Sequence, residues 1–369
     1  MNILVTGAAG FIGRNLCVFL NEAGFSEIIN ITVDDNDASI VEKVKSADFI
    51  YHLAGVNRPK NHDDFKKGNT DLTQKIIDTL IEAELKTPIV LTSSIQAELD
   101  NPYGISKAGA ELAVAEYKKV TGAPTYVYRL PNVFGKWCRP NYNSVIATFC
   151  HNTINDLPIT INNSEAALSL VYIDDVCQSF VDLLTNENPG DEQYCFVEPI
   201  YQTTVGEVAS LISEFKESRK SMISADVGTG FVRALYSTYV SYLAPEQFSY
   251  SVTRHSDARG TFVEMLKTKG AGQFSFFTAH KGITRGGHYH HTKTEKFLVI
   301  SGKASFKFRH ITTGESYELI VDAEESRIVE TAPGWSHDVT NIGENELIVM
   351  LWANEIFDSE KPDTVNFKV

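Results

Sequence analysis

Apolar positions in the first half of the chain follow two alternating rhythms. Short apolar runs at residues 2–6, 28–33, 49–53, 89–92 and 125–128 predict buried strands. Between them, apolar residues three and four apart predict helices over 11–22, closed by Gly24, over 72–84, and over 106–121, closed by Gly122. Strands alternating with helices imply a parallel sheet covered on both faces, a Rossmann-like doubly wound α/β fold. The rhythm fades after about Asp182, and 205–215 is the last amphipathic helix expected.

From about Phe248 the texture changes. Segments rich in Phe, Val, Ile and Thr (273–278, 296–299, 304–310 and 346–352) are punctuated by Gly and Asn, with little helical periodicity. Many short strands with turn signals predict an all-β sandwich or barrel. The expected division is therefore 1–244 and 245–369.

Composition narrows the function classes. The chain has 369 residues, 43% hydrophobic and 22% charged, so both parts should fold around real cores. A net charge of −14 argues against nucleic acid or an anionic membrane as partner, since both need a cationic surface. Five cysteines (Cys17, Cys138, Cys150, Cys177 and Cys195) form no C-x-x-C pair, which fits a reduced, cytoplasmic protein. The start MNILVTGAAGFIG lacks the basic opening of a signal peptide, and no run approaches 18 apolar residues.

The same opening carries the first candidate chemistry. Gly7-Ala8-Ala9-Gly10-Phe11-Ile12-Gly13 follows a strand and opens a helix. Glycines there permit a tight turn and close backbone approach to a pyrophosphate, which meets the helix N-terminus. After the second strand, Thr32-Val33-Asp34-Asp35 offers Asp34 or Asp35 to the adenosine ribose, with no arginine near; on residues alone this leans towards NAD over NADP.

Tyr103-Gly104-Ile105-Ser106-Lys107 opens the third predicted helix, and its i, i+4 spacing puts phenol and ammonium on one face. The ammonium favours phenolate, so Tyr103 can exchange a proton with a ketone or alcohol. Ser93 and Ser94 end the preceding strand, where either hydroxyl could hold the substrate oxygen. Together with His52-Leu53-Ala54-Gly55, Tyr128-Arg129-Leu130-Pro131-Asn132-Val133-Phe134-Gly135 and Val171-Tyr172-Ile173-Asp174-Asp175-Val176, residues 1–240 resemble the extended short-chain dehydrogenases/reductases. That resemblance implies a nucleotide-linked sugar as substrate, with Ser94, Tyr103 and Lys107 catalytic. It implies cofactor contacts from Gly7, Gly10, Phe11, Ile12, Gly13, Asp34, Leu53, Ala54, Gly55, Tyr103, Lys107 and Pro131. Asn132 and a cationic clamp of Arg129, Lys136 and Arg139 would hold the substrate.

In the second part, Gly282-x5-His288-Tyr289-His290-x4-Glu295-x6-Gly302 and Pro333-Gly334-Trp335-Ser336-His337-x3-Asn341 resemble the two cupin motifs. A cupin is a double-stranded β-helix, or jelly-roll barrel. Residues i and i+2 of a strand share a face, so His288 and His290 would point together, joined by Glu295 and His337. Such a set suits Zn²⁺ or another divalent first-row metal. Asp257-x-Arg259-Gly260-x-Phe262-x-Glu264 and Arg285-Gly286-Gly287-His288 also resemble the deoxy-sugar 3,5-epimerases, in which a histidine removes a proton beside a ketone. The resulting enolate needs a cation, which a metal, Arg259 or Lys296 could supply. His288 is thus either ligand or base.

Both parts together, through runs such as Gly135-Lys136-Trp137-Cys138, His290-His291-Thr292-Lys293 and Trp352-Ala353-Asn354-Glu355, resemble a family of bifunctional capsular-polysaccharide enzymes. This resemblance implies NADPH, with NADH as the alternative, a bound zinc and a homodimer. It also implies a UDP-linked 4-keto-6-deoxy-N-acetylhexosamine, epimerised at C3 by the second domain and reduced at C4 by the first.

Overall fold

The three central strands of the first sheet are short and fully buried because both faces of the sheet are covered. In a computed structural model describing residues 1–59, 61–185, 193–248 and 250–369, β1 (Ile3–Thr6), β2 (Ile28–Ile31), β3 (Phe49–His52), β4 (Ile89–Ser94) and β5 (Thr125–Leu130) form a parallel sheet. Its order is β2-β1-β3-β4-β5. Leu4, Ile50, Ile89 and Leu91 pack on one face against helices Leu72–Glu82 and Pro102–Thr121. Ile3, Val5, Tyr51 and Val90 pack on the other against Phe11–Glu22 and Ile173–Thr185. The buried Tyr51 hydroxyl donates to Phe180 O at 2.6 Å, a bond whose loss would leave a polar group stranded at a cost of about 1–3 kcal/mol. Strand order reverses between β1 and β3, where an open α/β sheet binds ligands beyond its carboxyl ends.

Helices Asp37–Lys45, Val145–Ile154, Ile173–Thr185 and Gly230–Val240 go beyond the sequence expectation, as does a three-stranded sheet of Asn132–Phe134, Ala167–Tyr172 and Tyr201–Thr204. Gly230–Val240 overturns the expectation that helices stop at 205–215. Its Phe, Val and Tyr residues favour strands intrinsically, but Ala234, Leu235, Thr238 and Tyr239 are buried at helical spacing. Val145–Ile154 carried a legible signal, because Ser144 caps it by accepting from Ala147 N at 3.2 Å.

The C-terminal part consists of two sheets of seven and five strands, antiparallel except where Ile223–Ser224 joins the larger. Gly272–Ala279, Glu295–Ser301, Ile328–Glu330 and Leu347–Ala353 belong to the larger. Thr284–Tyr289, Lys303–His310, Ser316–Asp322 and Trp335–Asn341 belong to the smaller. Chain-adjacent strands therefore change sheet repeatedly, as in a jelly roll. Phe277, Phe297, Phe306, Val299, Val339 and Val349 fill the space between the sheets.

Contacts divide the chain into residues 1–212 with 234–242, and residues 213–233 with 243–369. The single boundary expected at 244/245 omits the segment 213–233. That segment joins the second unit because Ile223–Ser224 pairs in parallel with Gly260–Thr268, Ile223 opposite Lys267. Among the described residues, no helix is long and apolar enough to cross a membrane.

Candidate active sites

The glycine turn closes on itself for steric reasons. Gly7 has φ +68°, and a Cβ there would sit 2.9 Å from Ala54 backbone; a Cβ on Gly13 would meet Gly7 O at 2.3 Å and Ala8 Cα at 2.7 Å. Helix Phe11–Glu22 begins with Gly10 at its N-cap and no capping side chain. Its first turn therefore lies at the switch point with its positive end towards the space a pyrophosphate would take. Gly13→Ala, which drives a methyl into fixed backbone, is expected to abolish nicotinamide binding; fluorescence titration with NADPH and NADH checks it.

A buried network fixes the opposite wall. Thr6 Oγ1 accepts from Leu53 N (3.1 Å) and Ala54 N (3.0 Å) and lies 2.8 Å from His52 Nδ1. His52 Nε2 lies 2.8 Å from Thr73 Oγ1, which itself donates to Asn69 O at 2.6 Å. Thr73 has thus used its proton, so Nε2 donates and Nδ1 accepts from Thr6. Burial keeps this imidazole neutral, pulling its pKa down to about 3, with the Lys107 charge adding. The loop Leu53-Ala54-Gly55 is held by this chain of bonds.

Helix Pro102–Thr121 positions the next groups. Asn101 caps it by accepting from Gly104 N at 2.8 Å, which sets Tyr103 and Lys107 on the turn facing β4. Lys107 is buried and donates to Thr92 O at 2.9 Å; burial lowers its pKa to about 8 while Glu111 pulls it back up. Burial raises the Tyr103 phenol, and a hydrogen bond with Ser94 opposes that rise. Ser93 is bound the other way, donating to Glu111 Oε1 at 2.5 Å. Of the two strand-end serines, Ser94 is the one brought to Tyr103.

Sequence reasoning missed Asn69. It lies in a π-helical turn, Lys66–Asp71, and is buried. It accepts from Val56 N (2.8 Å) and donates to Val56 O (2.9 Å) and Ser106 Oγ (2.9 Å). It ties the Gly55-Val56 loop to the helix of Tyr103 and Lys107.

Other expected contacts are placed differently. Arg129 is not presented as part of a phosphate clamp. Its guanidinium donates to Glu111 (3.0 and 2.7 Å), Glu98 (2.6 Å) and Tyr194 Oη (2.8 Å), and it stacks on the Tyr194 ring at 3.8 Å. Lys136 is paired with Asp174, and Arg139 lies exposed over the Tyr142 ring at 5.3 Å. Asn132 is exposed and Pro131 half-buried beyond β5. Asp35, one of two acids considered for the ribose, is taken up locally. It accepts from Thr32 N (2.8 Å), Ser39 Oγ (2.6 Å) and Lys43 Nζ (2.5 Å), and these bonds hold it below the usual carboxylate range. Asp34 remains exposed.

In the second unit, His288, His290, Glu295 and His337 bring their ligand atoms within 4.8 Å of one another. His290 and His337 Nε2 lie 3.3 and 3.1 Å from the same Glu295 oxygen, Oε2. His290 Nδ1 contacts the Asp363 carbonyl, which can only accept, so the proton resides there. That leaves Nε2, on the side of Glu295, as the ring nitrogen turned towards the cluster. The donor set of three imidazoles and one carboxylate fits a divalent first-row metal. Burial lowers the His288 pKa to about 4, helped by His337, which keeps it available as ligand or base. Burial alone would raise Glu295, but its contacts with His290 and His337 and the Lys293 charge outweigh that and hold it ionised.

Lys296 departs from expectation. It neighbours the inward Glu295 along the strand and therefore faces outward. It lies opposite Trp352 and Glu330, 3.4 Å from the Glu330 carboxylate. Arg259 is exposed and paired with Asp257 at 2.6 Å. The cation beside the cluster is instead Lys293, buried and 3.1 Å from Glu295 Oε1. No spacing rule marked it.

A strand-end hydroxyl against a Tyr/Lys helix, set beside a glycine turn at the switch point, is the arrangement of a nicotinamide-dependent oxidoreductase. The chain belongs to the NAD dependent epimerase/dehydratase family, whose model matches residues 3–195; a polysaccharide biosynthesis C-terminal domain matches residues 255–365. It is 56% identical to the UDP-2-acetamido-2,6-beta-L-arabino-hexul-4-ose reductase of Pseudomonas aeruginosa over 99% of this chain and 98% of that protein. It is also similar along its whole length to the crystal structure of the capsular polysaccharide assembling protein CapF of Staphylococcus aureus, at a TM-score of 0.92 and 39% identity, covering 100% of both chains. A UDP-glucuronic acid 4-epimerase of Bacillus cereus in complex with NAD matches 66% of this chain and 96% of its own. With a TM-score of 0.56 and 19% identity, it supports the fold alone.

Proposed function

We propose that this enzyme carries out two consecutive steps on a UDP-linked 4-keto-6-deoxy-N-acetylhexosamine in surface-polysaccharide synthesis: inversion at C3 by the C-terminal, cupin-type domain, then reduction at C4 by the N-terminal domain. The observation that carries this reading is the presence, in one chain, of a Tyr103/Lys107/Ser94 reductase set and a convergent His288/His290/Glu295/His337 cluster. The order follows from chemistry. A C3 proton is acidic only while C4 is a ketone, because its loss forms an enolate.

The residues divide the work. His288, neutral at physiological pH, is placed to accept the C3 proton or to serve as a ligand. His290, Glu295 and His337 would hold Zn²⁺, which would supply positive charge to stabilise the enolate. Lys293 balances Glu295. In the N-terminal domain the glycine turn and the Leu53–Gly55 loop hold the nicotinamide cofactor, which supplies hydride to C4. Ser94 holds the substrate oxygen, Tyr103 gives it a proton, and Lys107 sets the phenol's acidity. Cytoplasmic location fits the free cysteines, and a homodimer follows the family resemblance.

The test is incubation with UDP-4-keto-6-deoxy-N-acetylhexosamine in deuterated water, with and without NADPH. Deuterium entering C3 without cofactor, and reduction only with it, is the expected result. Reduction with no exchange would leave the C-terminal domain a scaffold and the enzyme a simple 4-ketosugar reductase.

NADPH is proposed as the working cofactor, although the exposed Asp34 opposes a 2′-phosphate. Two like charges near 4 Å repel by about 1 kcal/mol in water and about 4 kcal/mol near a protein surface. Asp34→Asn is therefore expected to raise kcat/KM for NADPH relative to NADH at least fivefold. An unchanged ratio would remove Asp34 from the ribose contact.

A further inference from the structure

The segment after the last long strand folds back onto the histidine/carboxylate cluster, and one residue of it makes an unusual number of contacts there. The Asp363 carboxylate accepts from three consecutive backbone N–H groups, His291 (2.8 Å), Thr292 (2.7 Å) and Lys293 (2.8 Å), and from the Thr292 hydroxyl (3.0 Å). Its carbonyl meets His290 Nδ1. Three successive N–H groups turned to one point form a nest that requires an anion.

The following residues continue the contact. Asn366 pairs with His288 and Val365 with Tyr289 in an antiparallel ladder. Phe367 N donates to Gly287 O at 2.9 Å, and Ser336, next to His337, donates to Phe367 O. One five-residue piece thus braces the strand of His288, the tautomer of His290, the loop leading to Glu295 and the neighbour of His337.

We infer that Asp363 is a positioning residue for the metal-ligand set, and that docking of residues 363–367 and metal binding are coupled. This inference rests on the proposed reading of the cluster as a metal centre. Coupling is reciprocal by thermodynamic necessity: a strap that pre-orients the ligands raises metal affinity, and the metal in turn stabilises the docked strap. Outer groups that orient metal-ligating histidines are typically worth 10–100-fold in affinity.

The experiment uses the full chain and Zn²⁺, with affinity read by competition against a chromophoric chelator. Asp363→Ala removes the acceptor of four donors and is expected to weaken zinc binding about 10–100-fold. Asp363→Asn puts an amide N–H among those donors and is expected to weaken it at least tenfold. Asp358→Ala serves as control, since that carboxylate serves Glu360 N and Lys361 N locally, and should bind as the parent does. Because Asp363→Ala could disturb folding, hydrogen exchange of the unaltered protein is followed as well. Zinc should slow exchange at the amides of His291, Thr292, Lys293 and Phe367. Equal zinc affinity in parent and Asp363 variants, or unchanged exchange at those amides on zinc binding, would overturn the coupling while leaving the metal centre intact. Failure of the parent itself to bind zinc would overturn the metal reading and the coupling with it.

Discussion

Tyr103→Phe is expected to slow C4 reduction by about 10²- to 10⁴-fold, the usual worth of a positioned general acid, while cofactor binding stays near that of the parent. The phenol hydroxyl is the only atom removed, and it is the one that hydrogen-bonds Ser94. Helix and glycine turn should be undisturbed, because neither depends on that hydroxyl. Single-turnover NADPH oxidation against a fluorescence titration of NADPH separates the two effects. A protein that merely senses nicotinamide would be indifferent to the change. The pH profile gives an independent check. Lys107 is charged below about 8 and neutral above it, because burial disfavours its ammonium more than Glu111 restores it. Reduction should therefore decline as pH rises through about 8. Lys107→Met should be slow at every pH and lack that limb.

His288→Asn should produce the second large effect, and in a different assay. As base, His288 accepts the C3 proton; as ligand, it helps place the charge that makes the proton acidic. Either role predicts that deuterium incorporation at C3 falls at least 100-fold. Reduction of a substrate already inverted at C3 should continue, since His288 belongs to the second compact unit and Tyr103 to the first. Mass spectrometry of product formed in deuterated water measures the first rate, and NADPH oxidation the second. Unchanged exchange would assign the C-terminal domain a structural role.

These outcomes depend on groups of two kinds, which differ in how far the chain itself announces them. Features set by neighbours within a few residues were readable. The glycine turn, the i, i+4 pairing of Tyr103 with Lys107, and the alternation that puts His288 and His290 on one face follow from backbone geometry alone. The parallel sheet and the β-rich second half were readable for the same reason, since periodicities of 3.6 and 2 are local properties.

What the tertiary structure alone decided is where long-range partners compete for a side chain. Arg129 looked like a free cation until folding set it against Glu111, eighteen residues away in sequence. Asp34 and Asp35 looked equivalent until Lys43 took one of them. Ser93 and Ser94 differ only in which of them meets Glu111 and which meets Tyr103. Lys296 was excluded from the cluster by one step of the pleat, which gave its place to Lys293. Asp363 could not be found by spacing at all, because its carboxylate acts on residues 70 to 72 positions earlier. Sequence determined which chemistries this protein carries, because reactive residue types and local spacing are written along the chain. Only the folded structure decided which side chains remain available for them, because a hydrogen bond or charge committed to one partner is withdrawn from every other.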